Sequence, residues 1–493
     1  MKRFLQENWQ RIRKSSFILS NLKMGPMSLV KFITGPFKGK GAARLLGADG
    51  VGFLGISNQI QQFGMSASSL SMGTVLTQEL GKAIANNDVV RKRDLLRAAL
   101  FLQLCGSAIV IFFGLLFTQY ISKNIYDDPR AQVFTLLPVL LSVPFAALVN
   151  THFSSILYAH GRYELFSHAT TMNFLFEVVI FLLLAYFFGL RGAVWSILIT
   201  SIFWSALLAK HCWVLEPSVF ELTWRLKPDI LKMLSWTGIS FLIAGLFSGA
   251  ALIVLRGMIS QHLGVSINGY YQVLLVFSAY YTPFITNGIW ADLFPKFSRS
   301  KLTMELWKEW ANQLILAAWF GAGIEMCLLV FPELMVKIFF TRDFLKACSA
   351  LPWQFMADFF GLVTAPCAAF LNARGRFNAF LFVTILISVT TLAVTRLFID
   401  RFGLAAVPFS YFIANGLGLL TIVHLMRRES KDRFSFLTLI PKILLPLLLL
   451  VAQSAIYLYS PWMFLRFILP LVFGVIVWVL YFGERHRGKL LYA

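Results

Sequence analysis

Long apolar stretches separated by short charged segments run along most of the chain. Four of them contain no Asp, Glu, Lys or Arg: residues 98–122, 377–395, 443–465 and 467–483. A helix needs roughly 20 predominantly apolar residues to cross a bilayer, so each stretch predicts a transmembrane helix. Reading the whole chain in this way predicts about fourteen spans, which begin near residues 20, 52, 98, 131, 165, 192, 232, 266, 310, 347, 377, 403, 437 and 464.

Three short motifs occur twice, 214 to 217 residues apart. The first and second copies are Leu46-Gly47 and Leu263-Gly264, His160-Gly161-Arg162 and Arg374-Gly375-Arg376, and Phe188-Gly189-Leu190 and Phe402-Gly403-Leu404. The interval from the second motif's glycine to the third's is 28 residues in both copies. Six predicted spans fall in each copy, an even number, so the two copies share one membrane orientation. The pattern predicts an all-α integral membrane protein with two pseudo-symmetric six-helix lobes and two further C-terminal helices.

The predicted domains follow from this repeat. Residues 1–15 form a cytoplasmic tail, residues 16–215 the first lobe, and residues 216–428 the second lobe. Residues 429–493 contain the last two spans and a cytoplasmic C-terminus. No hydrophilic stretch exceeds roughly 20 residues, which leaves no room for a folded soluble domain. This counts against membrane-embedded glycosyltransferases and polymerases, the enzyme alternative to a transporter.

Composition and charge agree with a membrane protein. Hydrophobic residues make up 58% of the chain and charged residues 14%, and the mean hydropathy is +0.72, which excludes a soluble globular protein. A net charge of +21 could suggest a nucleic-acid partner. However, the basic residues concentrate in alternate loops on the side of the N-terminus, which indicates topology rather than nucleic-acid binding. By the positive-inside rule, both termini are cytoplasmic.

Lysines interrupt the first predicted span. Lys23, Lys31 and Lys38 fall within an arc of about 80 degrees on a helix and so form one stripe. A lysine at the bilayer centre costs roughly 2.5 to 3.5 kcal/mol, so the stripe must face protein or a water-filled cavity rather than lipid. Lys40 extends the positive charge. The alternative is that residues 1–42 lie along the cytoplasmic surface as a basic interfacial segment.

The second lobe offers a matching cation. The 217-residue offset places Arg256 at the position of Gly39, beside Lys40. A cavity with lysines and an arginine suits an anionic group such as phosphate or pyrophosphate, to which both side chains donate charge-assisted hydrogen bonds. Gly35-Pro36 interrupts the first span and removes a backbone hydrogen bond, which predicts either a gating hinge or a static kink.

Three carboxylates fall inside predicted spans: Glu177, Glu325 and Asp358. Each could pair with a cavity cation, carry a coupling proton or serve as a structural hydrogen-bonding group. The second span is polar for its depth, which indicates either a cavity wall that binds sugars or a packed polar helix interface; its polar residues include Asn58, Gln59, Gln61 and Gln62.

No catalytic constellation, metal-ligand spacing or phosphate-binding glycine loop is found in the sequence. We therefore predict no enzyme activity, no metal and no cofactor. The driving force for transport would come from an ion gradient or from the substrate gradient itself.

The chain resembles the polysaccharide-transporter branch of the multidrug, oligosaccharidyl-lipid and polysaccharide (MOP) flippase superfamily. The resemblance lies in the order of several motifs between about residues 20 and 430, each weak by itself. They are the segment from Ala43 to Phe53, Gly269-Tyr270-Tyr271-Gln272, Phe294-Pro295, Trp353-Gln354 with Asp358, Asn372-Ala373-Arg374-Gly375-Arg376 and Phe402-Gly403-Leu404. The resemblance implies a fold like that of the multidrug and toxin extrusion (MATE) transporters.

The resemblance implies that the protein flips an undecaprenyl-pyrophosphate-linked oligosaccharide of the O-antigen or enterobacterial common antigen type. The lipid would move from the cytoplasmic to the periplasmic leaflet of a bacterial inner membrane by alternating access through a cationic central cavity. Lys31, Lys38, Lys40 and Arg256 are expected to hold the phosphates, with Lys23 on the same stripe. Membrane lipids are further partners, and the polymerase and chain-length machinery of the same pathway are candidate partners.

Two other members of the superfamily remain as alternatives. A lipid II flippase shares fourteen spans and a cationic cavity. A multidrug or cation antiporter would need an acidic site in the first lobe, and the first span here has lysines and no carboxylate.

Overall fold

The structure, a computed structural model, describes residues 16–127, 133–220, 226–299, 303–430, 436–460, 462 and 464–486. Every regular element in these ranges is helical. The α-helices longer than one turn are α1 (Ser16–Ser68), α2 (Gly73–Ala85), α3 (Val89–Leu116), α4 (Val133–Ala147), α5 (Ser154–Ala159), α6 (Tyr163–Leu215), α7 (Pro228–Leu263), α8 (Val265–Arg299), α9 (Met304–Leu328), α10 (Pro332–Phe339), α11 (Leu351–Ala373), α12 (Phe377–Phe402), α13 (Ala406–Ser430), α14 (Ile440–Tyr459) and α15 (Leu465–His486).

Two of these helices each contain two predicted spans. Helix α1 breaks at Gly47 (φ 67°, ψ −171°) and α6 breaks at Gly189 (φ 58°, ψ −138°). With these breaks, the described chain has fourteen long helical segments whose starts lie close to the predicted ones. Within the described residues, eight apolar helical stretches meet the length and composition of a membrane span, and two of them, 163–215 and 377–428, are long enough for two spans each. The predicted all-α membrane fold is confirmed.

The duplicated motifs fix the backbone in the same way in both copies. Six described glycines have positive φ, and they are the glycines of the three motif pairs: Gly47 (67°) with Gly264 (91°), Gly161 (69°) with Gly375 (67°), and Gly189 (58°) with Gly403 (55°). A residue with a Cβ rarely adopts this conformation, so each motif needs glycine there.

One of these pairs also repeats its hydrogen bonds. The Gly161 amide donates to the Tyr158 carbonyl at 3.0 Å, and the Gly375 amide donates to the Asn372 carbonyl at 3.1 Å. The next amide in each copy donates five residues back at 2.8 Å. Both turns therefore end a helix with the same left-handed cap.

Contacts divide the chain into two compact units. The first unit comprises Lys23–Gln272 and Phe339–Thr341, and the second comprises mainly Val273–Ile338 and the helices after Arg342. The first unit has an apolar core of leucines contributed by α2, α3, α5 and α6. In the second unit, buried aromatic rings pack edge to face, as Phe297 does on Phe370 at 5.0 Å between centroids. The predicted lobe boundary at residue 215 concerns the repeat and stays a prediction.

Candidate functional site

Lys38 and Glu177 form an ion pair in the first unit. Lys38 lies on α1 and Glu177 on α6, and Lys38 Nζ donates to Glu177 Oε1. The Phe181 ring, one helical turn beyond Glu177, lies 5.2 Å from Lys38 Nζ and adds a cation–π contact. The two charged side chains are 32% and 27% exposed, so both remain accessible. Among the described residues, this is the pair in which a predicted site cation contacts a predicted carboxylate.

The other lysines of the first span are placed differently. Lys40 is half-buried, and two residues turn a helix by about 200°, so it points away from the stripe that contains Lys38. Among the described residues no salt bridge to Lys40 is found. Lys23 and Lys31 lie on α1, but their side chains fall outside the described part of the structure. Their roles, and that of Lys40, stay predictions.

The hinge predicted at Gly35-Pro36 lies in a continuous helical segment. The backbone of α1 keeps helical dihedral angles through both residues, and its break occurs at Gly47 instead. Proline cannot donate to the carbonyl four residues earlier, so one hydrogen bond is missing at this point. In this conformation Gly35 and Pro36 form no sharp break, and a role in movement stays a prediction.

Arg256 is buried within the first unit and 2% exposed. Its Nη2 donates to Gln272 Oε1 at 2.6 Å, and its guanidinium lies 5.3 Å from the centroid of the Tyr271 ring. Gly55 makes room for it, because a Cβ there would lie 2.7 Å from Arg256 Nη1. Asn268 Nδ2 donates to the Arg256 carbonyl at 2.9 Å. Arg256 is thus held by its own unit in this conformation, and its predicted role as a phosphate ligand is untested.

Gln272 belongs to a contact between equivalent positions of the two repeats, which we call the repeat seam: residues 48–55 against residues 265–272. Ser266 Oγ donates to Asp49 Oδ1, and these two positions are 217 apart. Gly52 and Gly269, also 217 apart, let the backbones touch: a Cβ on Gly52 would lie 2.8 Å from the Gly269 nitrogen. Gly55 and Gln272 form the third such pair. All of these residues lie in the first unit.

The polar second span is at least partly a packed interface. Gln61 Nε2 donates to Ser142 Oγ at 2.8 Å and to Ser201 Oγ at 3.0 Å, which ties α1 to α4 and α6. Gln59 is buried, whereas Gln62 is exposed. Interhelical hydrogen bonds of this kind hold membrane helices together. The alternative interpretation, a wall that binds sugars, applies at most to the exposed side of this span.

The second unit contains a carboxyl cluster made of Glu325, Tyr281 and Asp358, from α9, α8 and α11. Tyr281 Oη lies 3.0 Å from Glu325 Oε1 and 2.7 Å from Asp358 Oδ2. Asp358 also accepts from Ser278 Oγ and, at 2.9 Å, from Gln354 Nε2. Glu325 is fully buried, and its Oε2 has no hydrogen-bond partner in the described part of the chain. No described lysine or arginine pairs with either carboxyl group.

Hydrogen-bond arithmetic places a proton in this cluster. A tyrosine hydroxyl has one proton, so Tyr281 can donate to one carboxylate only. Asp358 already accepts from two other side chains, as a carboxylate does. The remaining contact is satisfied when either Glu325 or Asp358 is protonated and donates to Tyr281 Oη. A buried carboxyl group without a cation also favours the neutral form because desolvation penalises the charge.

Sequence reasoning identified both carboxylates of the cluster but missed Tyr281 and Ser278, and it named Gln354 only as part of a resemblance motif with Asp358. A signal was present in the spacing: Ser278 and Tyr281 are three residues apart and so share a helix face. Gln354 and Asp358 are four apart on α11, which has the same effect. What the sequence lacked was any indication that α8 and α11 pack together at these positions. In the described residues no group of three or more His, Cys, Asp or Glu side chains is arranged to hold a metal ion.

Comparison with known proteins gives a family. A family model described as "Polysaccharide biosynthesis protein" matches residues 42–349, more than half of the chain. That range includes Glu177, Arg256 and Glu325, but begins just after Lys38 and ends before Asp358. A comparison with curated proteins finds no match.

Solved structures show the same fold at low sequence identity. An inward-facing MATE family multidrug resistance transporter of the MOP superfamily aligns with a TM-score of 0.66 at 13% identity, over 83% of this chain and 96% of its own. The lipid II flippase MurJ, in an inward closed conformation, aligns with a TM-score of 0.64 at 14% identity, over 95% of this chain and 99% of its own.

A third structure, a MOP superfamily transporter from Pyrococcus furiosus, aligns with a TM-score of 0.61 at 15% identity, over 85% of this chain and 96% of its own. At these identities the likeness concerns the fold alone. It confirms the MATE-like architecture that the sequence motifs implied. By its family match, the chain belongs to the polysaccharide biosynthesis protein family.

Proposed function

We propose that this protein is a flippase for an undecaprenyl-pyrophosphate-linked oligosaccharide, such as an O-antigen or enterobacterial common antigen repeat unit. It moves the lipid from the cytoplasmic to the periplasmic leaflet of a bacterial inner membrane by alternating access. The observation that carries the proposal is Lys38, a partly exposed lysine on α1, within the first predicted span, in a chain of the polysaccharide biosynthesis family. Both termini are cytoplasmic in this proposal, and the pathway's polymerase and chain-length machinery are candidate partners.

A lysine at membrane depth is rarely retained for stability alone. Insertion of a lysine costs roughly 2.5 to 3.5 kcal/mol at the centre of a membrane helix and less towards its ends, and an accessible ion pair returns about 1 kcal/mol or less. The net cost is consistent with a functional role, which is the usual interpretation of an ionisable side chain within a membrane span. An ammonium group recognises phosphate oxygens as a point charge with three donors. Pyrophosphate is the anionic part of the proposed substrate.

The carboxyl cluster of the second unit is suited to carry a coupling proton. Glu325, Tyr281 and Asp358 form a continuous hydrogen-bonded chain, along which a proton on Glu325 can pass towards Asp358. We therefore propose proton-coupled transport. Asp358 is the member with partial exposure, so it is the group through which the proton would exchange with solvent.

A lipid II flippase is the second candidate function. The observation that favours it is the fold alignment with MurJ, which extends over 95% of this chain, compared with 83% for the MATE transporter. Both candidate substrates are lipid pyrophosphates, so Lys38 serves either. A multidrug antiporter is less compatible with the first unit, because Lys38 neutralises Glu177, a carboxylate that could otherwise bind a cationic drug.

The test is flipping of fluorescent lipid pyrophosphates in proteoliposomes. Wild-type protein is supplied with an undecaprenyl-pyrophosphate oligosaccharide, with lipid II or with a cationic dye. The proposal expects transport of the oligosaccharide lipid, a loss of about tenfold or more in Lys38→Ala, and little loss in Lys346→Ala, an exposed lysine of the second unit. Transport of lipid II alone would establish the second candidate, and efflux of the dye alone would refute both.

Coupling is tested with a pH gradient across the same vesicles. Glu325→Gln keeps the shape and the neutral state of the side chain but removes the exchangeable proton. We expect the gradient to accelerate flipping by the wild type and not by this variant. Asp400→Asn, whose carboxylate is exposed and pairs with Arg396, is the control. Equal acceleration in wild type and Glu325→Gln would refute a coupling role for the cluster.

A further inference from the structure

Glu177, the ion-pair partner of Lys38, has no role in the transport cycle proposed above. It accepts a hydrogen bond from the same ammonium group that we expect to bind the substrate. The pair lies on two helices of one unit, α1 and α6. Both side chains are about one-third exposed or less, yet neither is sealed. Lys38 therefore has a resident anion that a ligand can reach.

The two helices that hold the pair pack against each other through a leucine side chain. A Cβ on Gly41 would lie 2.1 Å from Leu182 Cδ2, so α1 and α6 lie close together about one turn from the ion pair. Separation of the helices is therefore a poor way to free Lys38. Rotation of the Glu177 side chain about its flexible torsions is easier, since Phe181 would still hold the ammonium group through its cation–π contact.

The strength of the pair is suited to exchange. An ion pair with this accessibility shifts an equilibrium by about fivefold or less. The carboxyl group of Glu325 is in contrast fully buried and out of reach of a phosphate group. The pyrophosphate of a lipid-linked oligosaccharide is esterified at both ends, so each of its two phosphates carries one negative charge and accepts charge-assisted hydrogen bonds. Two adjacent charged phosphates attract an ammonium group more strongly than the single carboxylate of Glu177 does.

We infer that Glu177 is an exchangeable counter-anion for Lys38, displaced by the pyrophosphate of the substrate and restored when the substrate leaves. This inference rests on the proposed function. Glu177 neutralises Lys38 in the empty protein, which lowers the affinity for anions of single charge and makes release of the pyrophosphate easier. The residue thereby sets both selectivity and turnover. A binding interaction that stabilises the bound state more than the transition state raises the barrier and lowers turnover.

The test is a double-mutant cycle with inorganic pyrophosphate as the probe. Binding to purified protein is measured by calorimetry for wild type, Glu177→Gln, Lys38→Ala and the double variant. We expect Glu177→Gln to bind pyrophosphate about fivefold more tightly than wild type and to flip the lipid-linked oligosaccharide more slowly. Lys38→Ala and the double variant should bind equally weakly, since Glu177 acts through Lys38. Glu164→Gln, on the exposed first turn of the same helix, should match the wild type.

Two further measurements keep the inference testable. Glu177→Asp retains the charge on a shorter side chain, and its affinity should fall between those of wild type and Glu177→Gln. Gel filtration shows whether each variant is folded, so an affinity change is not mistaken for unfolding.

The outcomes separate this inference from the proposed function. Unchanged or weaker binding by Glu177→Gln, or an equal gain when Lys38 is already alanine, would overturn the exchange of anions. If the exchange of anions is overturned but the wild type still flips the lipid, the proposed function stands without the exchange. If wild type neither binds pyrophosphate nor flips any lipid pyrophosphate, the proposed function itself fails.

Discussion

The repeat seam gives the sharpest stability prediction, through Gly269→Ala. A Cβ on Gly269 would lie 2.1 Å from the carbonyl oxygen of Ala48 and 2.9 Å from its carbonyl carbon. Real Cβ contacts essentially never fall below 3.0 Å, so the two segments must part by about 1 Å. The obstacle is backbone, which no side-chain rotation can relieve. Overpacking of this kind costs about 1–3 kcal/mol, and the parting also weakens the hydrogen bond between Ser266 and Asp49.

The assay is thermal unfolding of purified protein in detergent, followed by intrinsic tryptophan fluorescence. The control is Gly361→Ala, because Gly361 lies within α11 and a Cβ there meets nothing within 4 Å. Alanine in a helix interior is favoured over glycine by up to about 1 kcal/mol. We expect Gly269→Ala to melt about 2 °C or more below wild type, and Gly361→Ala at or above it. A Gly269→Ala protein as stable as Gly361→Ala would refute the close contact.

A double variant tests whether the seam is one contact. A Cβ on Gly52 would meet the backbone of residues 265 and 269 at 2.4 and 2.8 Å, so Gly52→Ala should also destabilise. Once the segments have parted for one methyl group, the second meets less resistance. The combined loss should therefore be smaller than the sum of the two single losses. Simple additivity would indicate that the two glycines do not share a contact.

Two further predictions concern sites away from the seam. Gly161→Ala should destabilise the folded protein by about 1 kcal/mol through its positive φ alone, since nothing lies within 4 Å of its Cβ position. The control is Gly81→Ala, because Gly81 is equally open but has an ordinary φ. The melting temperature should fall in Gly161→Ala and not in Gly81→Ala. The Lys82 hydrogen bond, with Arg91 nearby, holds the pKa of Glu79 below its ordinary 4.5 despite burial. The ionised Glu79 carboxylate therefore stabilises the folded protein above pH 4.5, and this stabilisation is lost as the pH falls through the lowered pKa of the folded state. Glu79→Gln should accordingly lower the melting temperature at pH 7 and have little effect in strong acid.

The spans and the repeat could be predicted because both depend on local signals. Hydropathy over some 20 residues identifies a span without knowledge of its neighbours. A glycine that must adopt positive φ appears in the sequence as a glycine, and the repeat shows it twice, as with Gly189 and Gly403. The break between α1 and α2 has no such signal. Leu70 and Ser71 both have positive φ there, a conformation that neither residue type favours.

The site was less predictable because it depends on distant pairing. Lys38 and Glu177 are 139 positions apart, and only the packing of α1 on α6 brings them together. Equivalence under the repeat placed Arg256 opposite Gly39, but it says nothing about the neighbours of the side chain. Those neighbours, Gln272 and Tyr271, hold Arg256 in a buried position. Backbone symmetry therefore predicted where the cation lies in the fold and not what it contacts.

The two repeats share a backbone but differ in their charges. The offsets that align the glycines place Lys38 opposite Leu255, Glu177 opposite Thr391 and Asp358 opposite Pro144. Accordingly, Lys38 with its partner Glu177 belongs to the first unit and the carboxyl cluster to the second. An anion and a proton bound at separate sites can influence each other only through a conformational equilibrium to which both sites respond. Within the proposed function, duplication supplies the common framework for that equilibrium, and divergence of the side chains gives each half a different ligand.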